Sequence, residues 1–234
     1  MSRINSKWVN LCFIIDESGS MYGSTSDVIG GFNKMIEEQK SIKDGKVTVS
    51  LYTFNGHVNE HYIGRDINDL PKFKYSCGGC TAMNDGIGTA IDNVGKWLYE
   101  IDVNGEEMPS KTIVVVMTDG EENSSKEYTL KQIQDKIKEQ TEKYSWEFIY
   151  QGCDITSSKV ADELGFKFKA YSSRKMFSNN YDMINCAVSS YRKMANDGAS
   201  FSDASLSFCN TLNEESSKAT TEYEKEIGKK ITTN

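Results

Sequence analysis

Apolar residues follow two strand-like patterns along the chain. Residues 9–15 and 112–117 are nearly continuous apolar runs, which is typical of strands buried on both faces of a parallel sheet. Residues 46–54 instead alternate apolar and polar side chains, and this predicts a less buried strand. The dipeptide Asn55-Gly56 then predicts a hairpin turn, so residues 57–63 are expected to form an antiparallel edge strand.

Helical stripes, with apolar residues three and four positions apart, separate the strands. They predict helices around residues 28–36, 87–98, 130–137, 157–164 and 183–194, with further strands at 146–150 and 166–170. Strands and helices therefore alternate from about residue 8 to residue 195. This order predicts an α/β fold that is Rossmann-like and doubly wound, with a mostly parallel central sheet, one antiparallel edge strand and helices on both faces.

The pattern changes at residue 196, after which Ser, Thr, Glu, Lys and Asn dominate and apolar residues are thinly spread. Such a segment buries little apolar surface to offset the entropy lost on ordering. We therefore predict a domain over residues 1–195 and a polar C-terminal tail over residues 196–234. A flexible tail, a helix docked on the domain and a partner-binding arm all fit this composition.

Charge and hydropathy exclude several classes of partner. The chain has 34 acidic and 27 basic residues and a net charge of −7, which argues against nucleic-acid binding through phosphate neutralisation. No apolar run reaches the roughly 18 residues of a membrane span, and no apolar stretch resembling a secretory signal precedes the first strand. The six cysteines are read as reduced thiols, and a cytoplasmic protein without a membrane partner is expected.

Oxygen-bearing side chains follow two of the buried strands. Asp16, Ser18 and Ser20 come directly after the first strand, Asp119 ends the strand at 112–117, and Thr81 lies in a glycine-rich segment between them. Open α/β sheets bind ligands at the carboxyl ends of their strands. Hydroxyl, carboxylate and water oxygens suit Mg²⁺. These segments therefore predict one divalent cation held by three loops.

The five residues, in this order, resemble the metal-ion-dependent adhesion site (MIDAS) of the von Willebrand factor type A (vWA) family. The resemblance covers residues 8–195 and implies a stand-alone intracellular member of prokaryotic or phage type. It implies that Ser18 and Ser20 coordinate the ion directly and that Thr81 binds directly or through water. Asp16 and Asp119 are implied to act mainly through water and through hydrogen bonds to the serines. Mg²⁺ is the expected ion, with Mn²⁺ and Ca²⁺ as alternatives.

The resemblance also implies a function. Such a site leaves the cation poorly neutralised, so that it binds an acidic residue of a partner protein. The chain is therefore expected to be a metal-dependent protein-binding module, not an enzyme, in an intracellular assembly such as an AAA+ ATPase companion or a stress or tellurium-resistance system. It carries no G-x-x-x-x-G-K-[ST] motif of its own. The alternative is a metal-dependent phosphoesterase using the same pocket, with Asp16 and Asp119 as the available bases.

Cysteine and histidine spacing offers a second candidate site. Cys77 and Cys80 form a C-x-x-C pair directly before Thr81, which predicts either a redox pair or half of a zinc site. His57 and His61 lie four apart on the predicted edge strand and would complete a zinc-type set. The preferred interpretation is that the histidines are ordinary polar residues of a solvated edge.

Four residues flank the predicted metal site. Glu121 and Glu122 follow Asp119 and are either solvated loop acids or a negative field that disfavours the wrong acidic partners. Met21 and Tyr22 follow Ser20 and either contact the partner or pack beneath the next loop.

Overall fold

A single six-stranded sheet organises the computed structural model, which describes residues 3–153, 156–172 and 177–228. The strands of these ranges are β1 (Arg3–Asp16), β2 (Lys46–Phe54), β3 (Val58–Asp66), β4 (Glu107–Thr118), β5 (Glu147–Cys153) and β6 (Phe168–Ser172). They lie in the order β3-β2-β1-β4-β5-β6. Every neighbouring pair is parallel except β2 and β3. The predicted mostly parallel sheet with one antiparallel edge strand is confirmed.

Helices cover both faces of the sheet. They are α1 (Thr25–Ser41), α2 (Met83–Val103), α3 (Leu130–Tyr144), α4 (Thr156–Leu164), α5 (Phe177–Asn196) and α6 (Phe201–Ile227). The buried residues of α1, α5 and α6 form one core, and those of α2, α3 and α4 form the other. No helix in the described ranges is both long and apolar enough to cross a membrane.

Strand β1 supplies both cores with alternate side chains. Leu11 and Phe13 point into the core beneath α1 and α5, whereas Cys12 and Ile14 point into the core beneath α2. Each face is therefore buried, which explains the nearly continuous apolar run. The strand begins at Arg3 instead of residue 9, because its polar first residues extend the pairing with β4 at an exposed end. An apolar pattern cannot reveal such an extension.

The hairpin between β2 and β3 differs from the prediction by one residue. The amide of Asn55 donates to the carbonyl of His57 (2.9 Å), and the amide of His57 donates to the side-chain carbonyl of Asn55 (3.1 Å). These bonds close a turn, so β3 begins at Val58. The prediction that His57 and His61 share the edge strand is therefore wrong, because only His61 lies in it.

The described part of the segment predicted as a tail is mostly helix α6. Ser200 caps the helix by accepting a hydrogen bond from the amide of Asp203 (3.1 Å). Ala204, Phe208 and Leu212 are buried in the same core as α1 and α5. Residues 229–234 lie outside the described ranges, and the division of the chain at residue 195 stays a prediction.

The sheet has a topological switch point between β1 and β4. The chain passes from β1 to β2 on one side of the sheet centre and returns to β4 on the other. Ligands of open α/β sheets bind in the crevice outside the carboxyl ends of such strands. Here those ends are Asp16 and Thr118.

Candidate metal centre

The carboxyl ends of β1 and β4 bring three of the predicted residues together. Ile15 lies opposite Met117 in the parallel pairing, so the loops that follow the two strands start side by side. The hydroxyl of Ser20 donates to Oδ1 of Asp119 at 2.5 Å. The hydroxyl oxygen of Ser18 lies 3.0 Å from that of Ser20.

Asp16 is held at both carboxylate oxygens. Its Oδ1 accepts from the backbone amide of Ser18 (2.6 Å), and its Oδ2 accepts from the hydroxyl of Thr118 (2.6 Å). The Thr118 hydroxyl oxygen in turn accepts from the amide of Gly120 (3.1 Å). Thr118 is not among the predicted residues, although a hydroxyl residue at the buried end of a strand and next to an acid is a usable signal.

Burial makes the negative charge of Asp16 unfavourable in the absence of a cation. The side chain is fully buried, and this raises the pKa of the carboxyl from 3.8 to about 6. The hydrogen bonds from Thr118 and Ser18 oppose the rise in pKa, and the charge of Asp119 adds to it. A cation between the two carboxylates would relieve both the desolvation and the repulsion, so the electrostatics of the site favour positive charge.

Thr81 keeps its hydroxyl free of helix capping. The N-cap of α2 is Ala82, and the first amides of the helix are satisfied from another loop. The amide of Asn84 donates to the Glu122 carboxylate (2.8 Å), and that of Asp85 donates to the Ser125 hydroxyl (3.0 Å). The Thr81 hydroxyl therefore does not cap α2, and it remains available for a ligand.

Oxygens from all three loops surround Gly120. A Cβ atom added to this glycine would lie 3.5 Å from Ser20 Oγ, 3.6 Å from Thr81 Oγ1 and 3.8 Å from Asp16 Oδ2. The glycine leaves this space open, and the structure thus assembles all five predicted residues. Their role as metal ligands stays a prediction.

The donor set fits a small hard cation. Mg²⁺ binds oxygens at about 2.0–2.1 Å in an octahedron, which places neighbouring ligands about 2.9 Å apart. The 3.0 Å between the hydroxyls of Ser18 and Ser20 matches that spacing. A serine that donates its proton to a carboxylate also keeps its lone pairs for a cation. Ser20 is exposed, so the arrangement is open on one side.

The second candidate site is not assembled. Within the described ranges, no group of three or more His, Cys, Asp or Glu side chains is placed to hold a metal ion. His57 is exposed in the turn, and Nε2 of His61 lies 2.9 Å from the Thr53 hydroxyl. Cys77 and Cys80 are free thiols. The zinc-type alternative is therefore wrong, and the redox alternative stays a prediction.

The four flanking residues divide into structural and exposed ones. Met21 is fully buried in the core, whereas Tyr22 is 80% exposed beside the site. Glu121 is exposed, but Glu122 is half-buried and accepts hydrogen bonds from two backbone amides of its own loop (2.9 and 2.7 Å). Tyr22 is thus free for partner contact, and Glu122 shapes the loop.

The sequence of the chain matches a protein-family model. The family model of the von Willebrand factor type A domain matches residues 10–145. No curated protein sequence matches the chain.

Solved structures share the fold. Proximal thread matrix protein 1 from the mussel byssus has a TM-score of 0.55 and 13% identity over 78% of this chain and 46% of that chain. A structure of the same protein with a zinc-occupied MIDAS motif has a TM-score of 0.52 and 16% identity over 76% and 44%. The PilB minor pilin from Streptococcus sanguinis has a TM-score of 0.51 and 12% identity over 84% and 62%. The chain thus spans less than half the length of the byssus protein.

Proposed function

Because the chain belongs to the von Willebrand factor type A domain family, we propose that it is a metal-dependent protein-binding module whose cation meets an acidic residue of a partner. The family is known for metal-dependent protein interaction, and its domains are generally interaction modules. The observation that carries the proposal is the convergence of hydroxyl and carboxylate oxygens from three loops, which centres on the Ser20–Asp119 hydrogen bond.

Each residue of the site has a distinct task in this proposal. Ser18, Ser20 and Thr81 would hold Mg²⁺ through hydroxyl oxygens, with Mn²⁺ and Ca²⁺ as alternatives. Asp119 accepts a hydrogen bond from the Ser20 hydroxyl, which leaves the lone pairs of that hydroxyl for the cation. Asp16 supplies buried negative charge behind the serines. When bound, the ion offers an open coordination position to a carboxylate oxygen.

The net charge of the chain makes the cation decisive for partner choice. At −7 the protein repels acidic partners at long range, so a partner carboxylate is attracted only by the local positive charge at the site. The exposed ring of Tyr22 adds apolar contact beside it. We further propose a cytoplasmic multiprotein assembly as the setting, such as an AAA+ ATPase companion or a stress or tellurium-resistance system. That setting rests on the family resemblance alone.

The test compares partner capture with and without metal. The full chain is immobilised, and proteins are retained from a lysate in Mg²⁺ or in EDTA and then identified. The proposal expects retention in Mg²⁺ only, and loss of retention for the double variant Ser18→Ala with Ser20→Ala. Ser41→Ala, at the far end of α1, is the matched control. Retention of the same proteins in EDTA would contradict the metal bridge.

A metal-dependent phosphoesterase is the second candidate. The buried carboxylate of Asp16, beside the predicted cation, is one of the two bases available to such an enzyme. However, both oxygens of that carboxylate already accept hydrogen bonds. A phosphatase screen with Mg²⁺ or Mn²⁺ decides between the two functions. Turnover that is abolished by Asp119→Ala would overturn the purely binding role.

A further inference from the structure

Asn123 binds the backbone of Thr81 through two hydrogen bonds, which together are called the clamp. The amide of Thr81 donates to the side-chain Oδ1 of Asn123 (2.9 Å). The amide of Asn123 donates to the carbonyl of Thr81 (3.0 Å). We propose that Asn123 is a positioning residue of the metal site, which fixes the Thr81 hydroxyl relative to Ser20 and Asp119. This inference rests on the proposed function.

Thr81 needs such a clamp because it lies in a segment without regular structure. Residues 70–82 form neither helix nor strand, so no sheet ladder holds them. Other bonds tie this segment to strand ends: Gly19 donates to the Gly79 carbonyl (3.1 Å), and Ala82 donates to the Asn55 carbonyl (2.7 Å). These bonds fix the segment on either side of Thr81 but do not engage its own backbone.

The clamp is itself held rigidly against α2. Glu122 accepts from the amide of Asn84 (2.8 Å), and Asp85 accepts from the amides of Lys126, Glu127 and Tyr128 (2.8, 2.9 and 2.9 Å). The loop on both sides of Asn123 is thereby attached to the first turn of the helix that follows Thr81. A ligand hydroxyl placed in advance avoids an ordering cost when the ion binds.

The chemistry of the clamp allows a clean substitution series. Asn123 is exposed, so shortening its side chain opens no cavity in the core. Asn123→Ala removes the Oδ1 acceptor of the Thr81 amide and keeps the backbone bond. Asn123→Asp restores an acceptor at the same place. A positioning role therefore predicts loss of metal affinity with alanine and rescue with aspartate.

The experiment measures Mn²⁺ affinity of the full chain from the electron paramagnetic resonance signal of the free ion. We expect Asn123→Ala to weaken binding by about tenfold or more, as for other residues that orient metal ligands. We expect Asn123→Asp to bind as the wild type does at high salt, where screening reduces the effect of its added charge. Thr129→Ala removes the N-cap of α3 without touching Thr81, so it should lower the melting temperature and leave affinity unchanged.

The outcomes separate this inference from the proposed function. Wild-type Mn²⁺ binding that Asn123→Ala leaves unchanged overturns the positioning role alone. Equal losses in the alanine and aspartate variants also overturn it, because the acceptor would then be irrelevant. Absence of Mn²⁺ binding by the wild type overturns the proposed function and this inference together.

Discussion

The hydroxyl of Ser20 donates a 2.5 Å hydrogen bond to Oδ1 of Asp119, and this contact joins the loops after two adjacent strands. A second hydrogen bond, from the Thr118 hydroxyl to Asp16 (2.6 Å), joins the ends of the same two strands. Both follow from the register of β1 with β4, which places the two strand ends at the same height. The register of the sheet therefore brings the hydroxyls and carboxylates of the site together, at the expense of burying Asp16.

Asp16→Asn is expected to stabilise the metal-free protein above pH 6. The carboxyl has a pKa of about 6 in the folded state, above its ordinary 3.8, so the folded state binds more protons between these values. The stability that this group contributes therefore falls as pH rises from about 4 to 6, and it stays low above 6. Asparagine resembles the protonated acid and does not titrate. The free energy of unfolding of the asparagine variant should therefore come to exceed that of the wild type by about 1–3 kcal/mol as the pH rises through that window, at about 1.4 kcal/mol per pKa unit.

Urea unfolding in EDTA between pH 4 and 8 measures this difference in free energy. The matched experiment adds Mg²⁺ at pH 8, where the wild type should gain stability by ligand linkage and the asparagine variant should gain less. An advantage of the variant that is the same at pH 4 and pH 8 would show that burial of the charge is not its cause.

Gly120→Ala is expected to weaken metal binding while leaving the fold intact. The new methyl would contact Ser20 Oγ, Thr81 Oγ1 and Asp16 Oδ2 at 3.5, 3.6 and 3.8 Å, distances that need no movement of the chain. It would, however, fill the space between oxygens of three loops. We expect at least a tenfold loss of Mn²⁺ affinity, or about 1.4 kcal/mol, with a melting temperature in EDTA close to that of the wild type. Unchanged affinity would show that the ion lies away from Gly120.

The sequence predicts the parts of this molecule whose chemistry is local. Residues 9–15 and 112–117 are apolar because both faces of β1 and β4 are buried. The acids that follow these strands lie close together because the carboxyl ends of neighbouring parallel strands meet at one edge of the sheet. Helix α6 is harder to predict, because each turn that faces the core contributes a single buried side chain, such as Phe208 or Leu212, among polar residues.

The supporting residues of the site could not be predicted in the same way. Thr118, Asn123 and Asp85 act by bonding groups that lie 40 to 102 positions away along the chain. Their residue types are ordinary for strand ends, loops and first helical turns. Only the three-dimensional arrangement distinguishes Asn123, which bonds the backbone of Thr81, from the half-buried Asn93, which bonds the Glu60 side chain.

Two glycines of α2 should respond oppositely to alanine. A Cβ at Gly88 would lie 2.5–2.6 Å from the ring of Tyr128, so Gly88→Ala must displace that ring and the loop that carries it. A Cβ at Gly95 meets nothing within 4 Å. We expect Gly88→Ala to lose about 1–3 kcal/mol through overpacking and Gly95→Ala to gain about 0.5–1 kcal/mol through helix propensity. Chemical denaturation of both variants tests this, and stabilisation by both would contradict the close packing of Tyr128.

Arg192→Lys is expected to destabilise the protein although it conserves charge. The buried guanidinium of Arg192 on α5 reaches the end of α1, where the last carbonyls of a helix have no partner within it. One terminal nitrogen donates to the backbone and side-chain carbonyls of Gln39 (2.7 and 2.9 Å). The other donates to the carbonyls of Ile42 and Asp44 (both 2.9 Å).

A lysine cannot replace this fork, because its single ammonium presents three donors from one point. Burial already lowers the pKa of Arg192, and an ammonium in the same place would face the same desolvation with fewer bonds to offset it. We expect a loss of about 2–3 kcal/mol, since carbonyls are left unpaired and hydrogen bonds from a charged donor are lost. Urea denaturation at constant m-value measures it, with the adjacent and exposed Lys193→Gln as a control that should stay within about 0.5 kcal/mol of the wild type. If Arg192→Lys were as stable as the wild type, positive charge alone would be sufficient to hold α5 against the end of α1. The four hydrogen bonds from the two terminal nitrogens of the guanidinium would then not be needed.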